Sequence, residues 1–205
     1  RTDCSLVSDG AAALVIADMD TALGMRRAVA FRARAHAQDF LPMSKRDILK
    51  FEGCSQAWQR ALAHSGLQMG DLSFVETHDC FTIAELIEYE AMGLTAEGQG
   101  ARAIKEGWTQ KDGKLPVNPS GGLKAKGHPI GATGVSMHAL AAMQLTGTAG
   151  DLQVRNARLV SRRTPVSIAS ENTSTCTSRE VLNVQVTRDF RMIMSPTRMV
   201  WTNSS

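Results

Sequence analysis

Asn118-Pro-Ser-Gly-Gly-Leu-Lys-Ala-Lys-Gly-His-Pro-Ile-Gly-Ala-Thr-Gly134 is the most informative stretch of the 205-residue chain. Five of its last fourteen residues are glycine. That density lets backbone pass close to a ligand or to another loop. His128 stands between Gly127 and Pro129, so a stiff turn presents its ring. The apolar run that follows, Val-Ser-Met-His-Ala-Leu-Ala-Ala-Met-Gln-Leu145, reads as a buried helix. Its free N–H groups point back at the turn. A phosphate-binding loop would end in Gly-Lys-Ser/Thr, whereas this stretch runs Gly127-His128-Pro129, and no GxGxxG is present. A purely structural glycine turn has no need of a histidine at its apex, which favours a catalytic reading.

A second segment, His78-Asp79-Cys80-Phe81, also lies where a strand hands over to a helix. Leu72–Thr77 reads as the strand. Residues 81–92 read as an amphipathic helix, with Ile83, Leu86 and Ile87 inward and Glu85, Glu88 and Glu90 outward. A thiol at a helix N-terminus feels the positive end of the dipole, which favours thiolate. The bland alternative is a helix capped by Asp79 with an inert, buried Cys80. His78 and Cys80 offer two zinc-type ligands, but no second pair occurs at a sensible spacing, so no metal is expected. Lys124 and Lys126 read as solvated, His36, His64 and His138 as ordinary surface or core residues, and the ten Met as core filler.

Further out, Ala11–Ala17 reads as a short strand buried on both faces. Val29, Phe31, Ala33 and Ala35 alternate with arginines as a half-buried strand. Ser44-Lys-Arg-Asp47 resembles a capping box ahead of a helix carrying Ile48, Phe51, Trp58 and Leu62 and stopped by Gly66. Residues 95–114 read as a long polar loop. Alternation of strand and helix with short links predicts an α/β layered domain.

Composition closes off several classes. The hydrophobic share of 43% and charged share of 21% are those of a globular protein. The longest uncharged apolar stretch, Gly10–Ala17, is too short to cross a bilayer. A net charge of +3 does not point to nucleic acid. The four cysteines form no CxxC pair and read as thiols in a reducing compartment, giving a cytoplasmic expectation. The final Thr-Asn-Ser-Ser is not a peroxisomal Ser-Lys-Leu signal. From Val160 onward the character changes: no glycine, one alanine, eight Ser, seven Thr, and six Arg against three acids. Such a tail is expected to be only partly ordered.

Together the two motifs resemble the thiolase superfamily. Gly121-Gly-Leu-Lys-Ala-Lys-Gly-His-Pro-Ile-Gly-Ala-Thr-Gly134 is similar to the thiolase GHP loop. Asp9-Gly-Ala-Ala-Ala13 is similar to the strand closing the N-terminal half of that fold. HDCF at 78–81, Tyr89–Leu94, Glu97–Gly100 and Val117–Gly122 resemble the sterol-carrier-protein type of thiolase. The resemblance covers residues 3–159. It implies an α/β thiolase-like C-terminal half, a mixed sheet with helices on both faces. It divides the chain into the end of the N-terminal half (1–17), the C-terminal domain (18–159) and an atypical tail (160–205). Thiolases cleave 3-oxoacyl-CoA by thiolysis or run the reverse Claisen condensation, through a nucleophilic cysteine in the N-terminal half. The chain is expected to begin after that cysteine, which Cys4 does not replace, and so to be inactive and less stable alone. By resemblance His128 would activate the nucleophile and donate to the thioester oxyanion. His78 would line the same oxyanion site, and Cys80 would be the acid/base that moves the α-proton or the coenzyme A thiol proton. Phe81 would line the pantetheine channel. Ser120, Gly121, Gly122, Gly127 and Pro129 would contact substrate and coenzyme A. Coenzyme A would be a co-substrate, and no cofactor, nucleic acid or membrane is implied. The full-length protein is expected to be a homodimer. The family would close its site with two last core strands and a glycine-rich loop, and the tail lacks that glycine; Cys176 is assigned no role. Two further functions stay open: an aldol lyase acting on a CoA ester with a small accessory protein, and an inactive binding module.

Overall fold

The computed structural model describes residues 3–39, 42–155, 157, 166–172, 182–187 and 200–202. Its strands are β1 (Asp9–Ala11), β2 (Ala33–Ala37), β3 (Leu72–Glu76), β4 (Val166–Asn172), β5 (Leu182–Thr187) and β6 (Val200–Thr202). Its helices are α1 (Met19–Leu23), α2 (Glu52–Ser65), α3 (Thr82–Ala91), α4 (Gly100–Lys105), α5 (Gly122–Lys126) and α6 (Thr133–Leu145). Four strands form a sheet in the order β2-β5-β4-β3. β3 and β4 run parallel, and β5 is antiparallel to both of its neighbours, so the sheet is mixed. A parallel pair needs a crossover, and the chain between β3 and β4 supplies it with α3 to α6.

Adjacent residues of a strand point to opposite faces, and β3 feeds two cores that way. Val75 packs with Ala57, Trp58 and Ala61 of α2 and Tyr89 of α3. Phe74 packs on the other face with Ala141, Ala142 and Leu145 of α6. Helices therefore cover both faces, as expected. Trp58 is 1% exposed, and replacing it with Ala would open a cavity at a cost of roughly 3–5 kcal/mol.

Five expectations are corrected, the first on α3, where Ile83 is exposed and Glu88 buried rather than the reverse. The apolar run Ala11–Ala17 is not a buried strand: only Asp9–Ala11 is strand, paired with β6, and Val15 and Ile16 are exposed. A strand buried on both faces needs neighbours, and β6 meets only the start of this run. The helix expected behind Ser44 starts later. Residues 43–45 make one 3-10 turn, Asp47 accepts from the Leu49 amide, and α2 begins at Glu52 after Phe51 takes a left-handed φ of 40°. Its stop at Gly66, φ 65°, is as expected. The polar stretch 95–114 contains α4, because Glu90 accepts the Gly98 and Gly100 amides and starts a turn there. The tail contributes β4 and β5 to the middle of the sheet, and β6 beside β1. Cys176 lies outside the described residues. Among the described residues, no helix is long and apolar enough to cross a membrane.

Candidate active site

The end of β3 runs straight into the HDCF turn. Glu76, Thr77, His78, Asp79 and Cys80 are all buried. Phe81 is 38% exposed and occupies the N-cap of α3 in extended backbone, without a side-chain cap. Asp79 therefore does not cap α3. That part falls to Asp3, whose Oδ1 accepts the Thr82 amide at 3.0 Å.

The glycine turn is anchored to the same strand. Val75 N donates to Pro116 O at 2.8 Å, and Asn118 N donates to Val75 O at 2.7 Å. Asn118, at φ 49°, accepts the Thr77 amide on Oδ1 at 2.8 Å. The buried Glu76 carboxylate receives the Ser120 amide at 3.2 Å and hydroxyl at 2.7 Å. Lys126 Nζ donates to the same hydroxyl at 3.1 Å, so Ser120 is fully engaged within the protein and Lys126 is not merely solvated. Gly121 and Gly122 take φ of 90° and 63°, and α5 follows. Gly127, φ 84°, ends it, and a Cβ there would meet Ser8 Oγ at 2.5 Å.

His128 comes next. Its amide donates to Leu6 O at 3.0 Å and its carbonyl accepts from Ser8 N at 3.4 Å. Ser5 N donates to Cys80 O at 2.8 Å. The arm from Asp3 to Ser8 thus ties both motifs together, a role that sequence reading missed. A local pattern gives no sign of it, because every bond goes to residues far along the chain.

The rings of His78 and His128 meet edge to face, with centroids 4.8 Å apart. They are 3% and 4% exposed, and the Nε2 atom of each is buried without a hydrogen-bond partner. Burial, the neighbouring His128 and Lys126 push His78 down to about 3. Burial also lowers His128, with Asp79 opposing and Lys126 assisting. Both imidazoles are neutral at pH 7. His128 Nδ1 lies 2.8 Å from Thr133 Oγ1, which lies 3.1 Å from the Pro129 carbonyl. With the hydroxyl proton on that carbonyl, Thr133 accepts from Nδ1–H and leaves the lone pair on the buried Nε2. Thr133 also escaped sequence reading, since it meets His128 only once the Pro129 turn opens α6.

Behind the turn stands a cluster of buried acids. Thr77 Oγ1 donates to Glu88 Oε2, and Glu88 Oε1 has no partner. Tyr89 donates to Glu85 at 2.7 Å, and Asn118 reaches the same oxygen at 3.4 Å. Burial raises Glu76, Glu85 and, most strongly, Glu88 above the usual carboxylate range. Ser5 and Ser8 add two more buried hydroxyl oxygens without partners. Buried polar groups are normally satisfied. Four of the exceptions, on Ser5, Ser8, His78 and His128, come from the two motifs and the arm that joins them. Among the described residues no three His, Cys, Asp or Glu side chains are grouped to hold a metal.

Residues 35–179 match the family described as thiolase C-terminal domain-like. The chain is 41% identical over 159 residues to an acetyl-CoA acetyltransferase of Methanothermobacter thermautotrophicus, covering 77% of this chain and 42% of that protein. It is 41% identical over 164 residues to human sterol carrier protein 2, covering 76% and 30% respectively. To the benzoylsuccinyl-CoA thiolase subunit BbsB of Thauera aromatica it is 32% identical over 153 residues, covering 74% and 40%. The chain thus spans less than half the length of these relatives. Its fold is similar to a chain of the Ltp2-ChsH2(DUF35) aldolase structure, with TM-score 0.66 and 21% identity over 80% of this chain and 41% of that one. With the family match running through most of the described fold, and the HDCF and GHP turns brought face to face, the chain belongs to the thiolase C-terminal domain-like family.

Proposed function

We propose that this chain carries the acid/base half of a thiolase-type acyl-CoA C-acyltransferase, acting in 3-oxoacyl-CoA thiolysis or Claisen condensation. The observation that carries this reading is the pair of buried, neutral imidazoles between the two motifs, whose Nε2 atoms have no partner among the described residues. The 41% identical acetyltransferase supports it. His128 Nε2 takes the proton of a nucleophilic thiol supplied by the N-terminal half, and the thiolate attacks the acetyl-CoA thioester in condensation or the 3-keto carbonyl in thiolysis. The resulting imidazolium donates to the oxyanion, with His78 beside it. In condensation the tetrahedral intermediate collapses to an acyl-enzyme and expels coenzyme A. In thiolysis its collapse breaks the C2–C3 bond, leaving the acyl-enzyme and an acetyl-CoA enolate that takes its proton from Cys80. Cys80 then moves the proton of the second step, from the α-carbon in condensation or from the coenzyme A thiol in thiolysis. Phe81 and the glycine turns flank the entering chain. The full-length protein works as a homodimer in the cytoplasm.

The test is acetoacetyl-CoA cleavage by the full-length gene product, beside the 205-residue chain alone. Coenzyme A-dependent release of two acetyl-CoA from the full-length protein supports the proposal. Cleavage of a β-hydroxyacyl-CoA to an aldehyde or ketone without thiolysis makes it an aldol lyase instead. Thiolysis by the 205-residue chain alone overturns the assignment of the nucleophile.

A further inference from the structure

We infer that Asp79 is a positioning residue, whose carboxylate locks the glycine turn leading to His128 against the turn that carries His78. The inference deepens the acyl-transfer reading and rests on it for the meaning of the site. Its observations are independent of that reading. Asp79 is 3% exposed, and its Oδ1 accepts the Leu123 amide at 2.7 Å from 44 residues away. α5 has five residues and Gly121 as N-cap, so it has no capping side chain of its own. A helix this short does not hold itself together. Ser120 Oγ takes the Gly122 amide at 3.3 Å, and Asp79 takes the next one.

The fit between the two turns is tight. A Cβ on residue 122 would lie 2.1 Å from Asp79 Oδ2, so the carboxylate fills the space that glycine leaves. The anchored helix is one turn long and hands over directly to Gly127 and His128. Movement at Leu123 is therefore passed to the His128 ring, and Asp79 sits one residue from His78. The same carboxylate acts on His128 through its charge. The titratable or charged groups bearing on that ring are His78 and Asp79 from the turn after β3 and Lys126 from α5. Thr133 and the Leu6–Ser8 arm bring none. Asp79 is the group favouring the imidazolium, against burial and Lys126.

The experiment uses the 205-residue chain with labelled histidine, following His78 and His128 by long-range proton–nitrogen NMR from pH 4 to 8. His78→Asn and His128→Asn supply the assignments, and hydrogen exchange reads Leu123. Asp79→Asn keeps an acceptor oxygen and loses the charge. It should preserve slow Leu123 exchange and the ring-to-ring contact while lowering the His128 midpoint. Asp79→Ala loses both, and Leu123 exchange should rise about tenfold to a hundredfold as the amide loses its acceptor. The His78–His128 contact should weaken with it. Asp79→Asn carries the test by itself if Asp79→Ala does not fold. An unmoved His128 midpoint in Asp79→Asn would reduce Asp79 to a helix cap and overturn the inference. Unchanged Leu123 exchange and ring contact in Asp79→Ala would overturn it as well. No substrate is involved, so a failure of the acyl-transfer reading would leave these results standing.

Discussion

The His78 imidazole meets the His128 imidazole edge to face at 4.8 Å between centroids, and neither Nε2 has a hydrogen-bond partner. Two buried neutral imidazoles make folding sensitive to acid. His78 falls from 6.5 to about 3 on folding, so between those values the unfolded chain holds a proton that the folded chain lacks. Stability is therefore lost as pH falls through that window, at up to about 1.4 kcal/mol per unit for this group. In His78→Asn that contribution is gone. The variant's urea midpoint relative to wild type should improve steadily from pH 7.5 to pH 5. A constant difference would mean that His78 is accessible to protons in the folded state.

Glu88 has the opposite sign. Its carboxyl is held well above 4.5, so the folded chain keeps a proton that the unfolded chain releases. That stability is complete below the unfolded value and is lost as pH rises through the folded one. Glu88→Gln preserves the shape and an acceptor for Thr77 without the ionisation. It should stabilise the protein by on the order of 1 kcal/mol at pH 8. The gain should shrink toward pH 5, as thermal melts at the two pH values would record.

Gly66 and Gly122 share almost the same φ, 65° and 63°, in different surroundings. A Cβ on Gly66 meets nothing within 4 Å. Gly66→Ala should cost about 1 kcal/mol from backbone strain alone. Gly122→Ala adds the collision with Asp79 and should cost about 3 kcal/mol or more. Equal losses in chemical denaturation would show that Asp79 moves aside without penalty.

Four helices of this fold take their N-terminal hydrogen bonds from carboxylates outside their own first turn. Asp39 serves α2 through Gly53 at 2.6 Å, Asp3 serves α3, Glu90 serves α4, and Asp79 serves α5. At three of them the approach requires glycine, since a Cβ on Gly53, Gly100 or Gly122 would lie within 3.0 Å of the carboxylate. Local cap signals were therefore misleading. Ser44 caps no helix, Asp79 caps α5 rather than α3, and the polar stretch 95–114 hides α4. The periodicity of Trp58 and Leu62, and the αL stop at Gly66, were legible because they are local. Asp39→Ala should cost about 1–2 kcal/mol, and more than truncating Ser44, which caps nothing.

The tail shows the same limit from another side. Leu182-Asn-Val-Gln-Val-Thr187 alternates with a period of two, the local signal of a strand, but its place between β2 and β4 is set by residues far along the chain. As for the candidate site, residue type and spacing single out His78, Cys80 and His128 as candidates, and the two turns that carry them do face each other. The bonds of Asn118, Ser120, Lys126 and Thr133 were not legible, because they depend on which turns face each other. Asp3–Ser8 could not be read as a clasp at all, since its partners, most of them backbone atoms, belong to distant motifs.

The account rests on a division of labour between His128 and Cys80, and one measurement reaches it directly. The full-length gene product is mixed with acetyl-CoA, and the acyl-enzyme is quantified by mass spectrometry beside steady-state turnover. His128→Ala should suppress acylation itself by roughly two to four orders of magnitude, the worth of a positioned base. Cys80→Ser should acylate nearly normally and fail to condense or thiolyse, because a serine hydroxyl does not exchange its proton near neutral pH. Wild-type acylation in His128→Ala, or normal turnover in Cys80→Ser, would contradict the account.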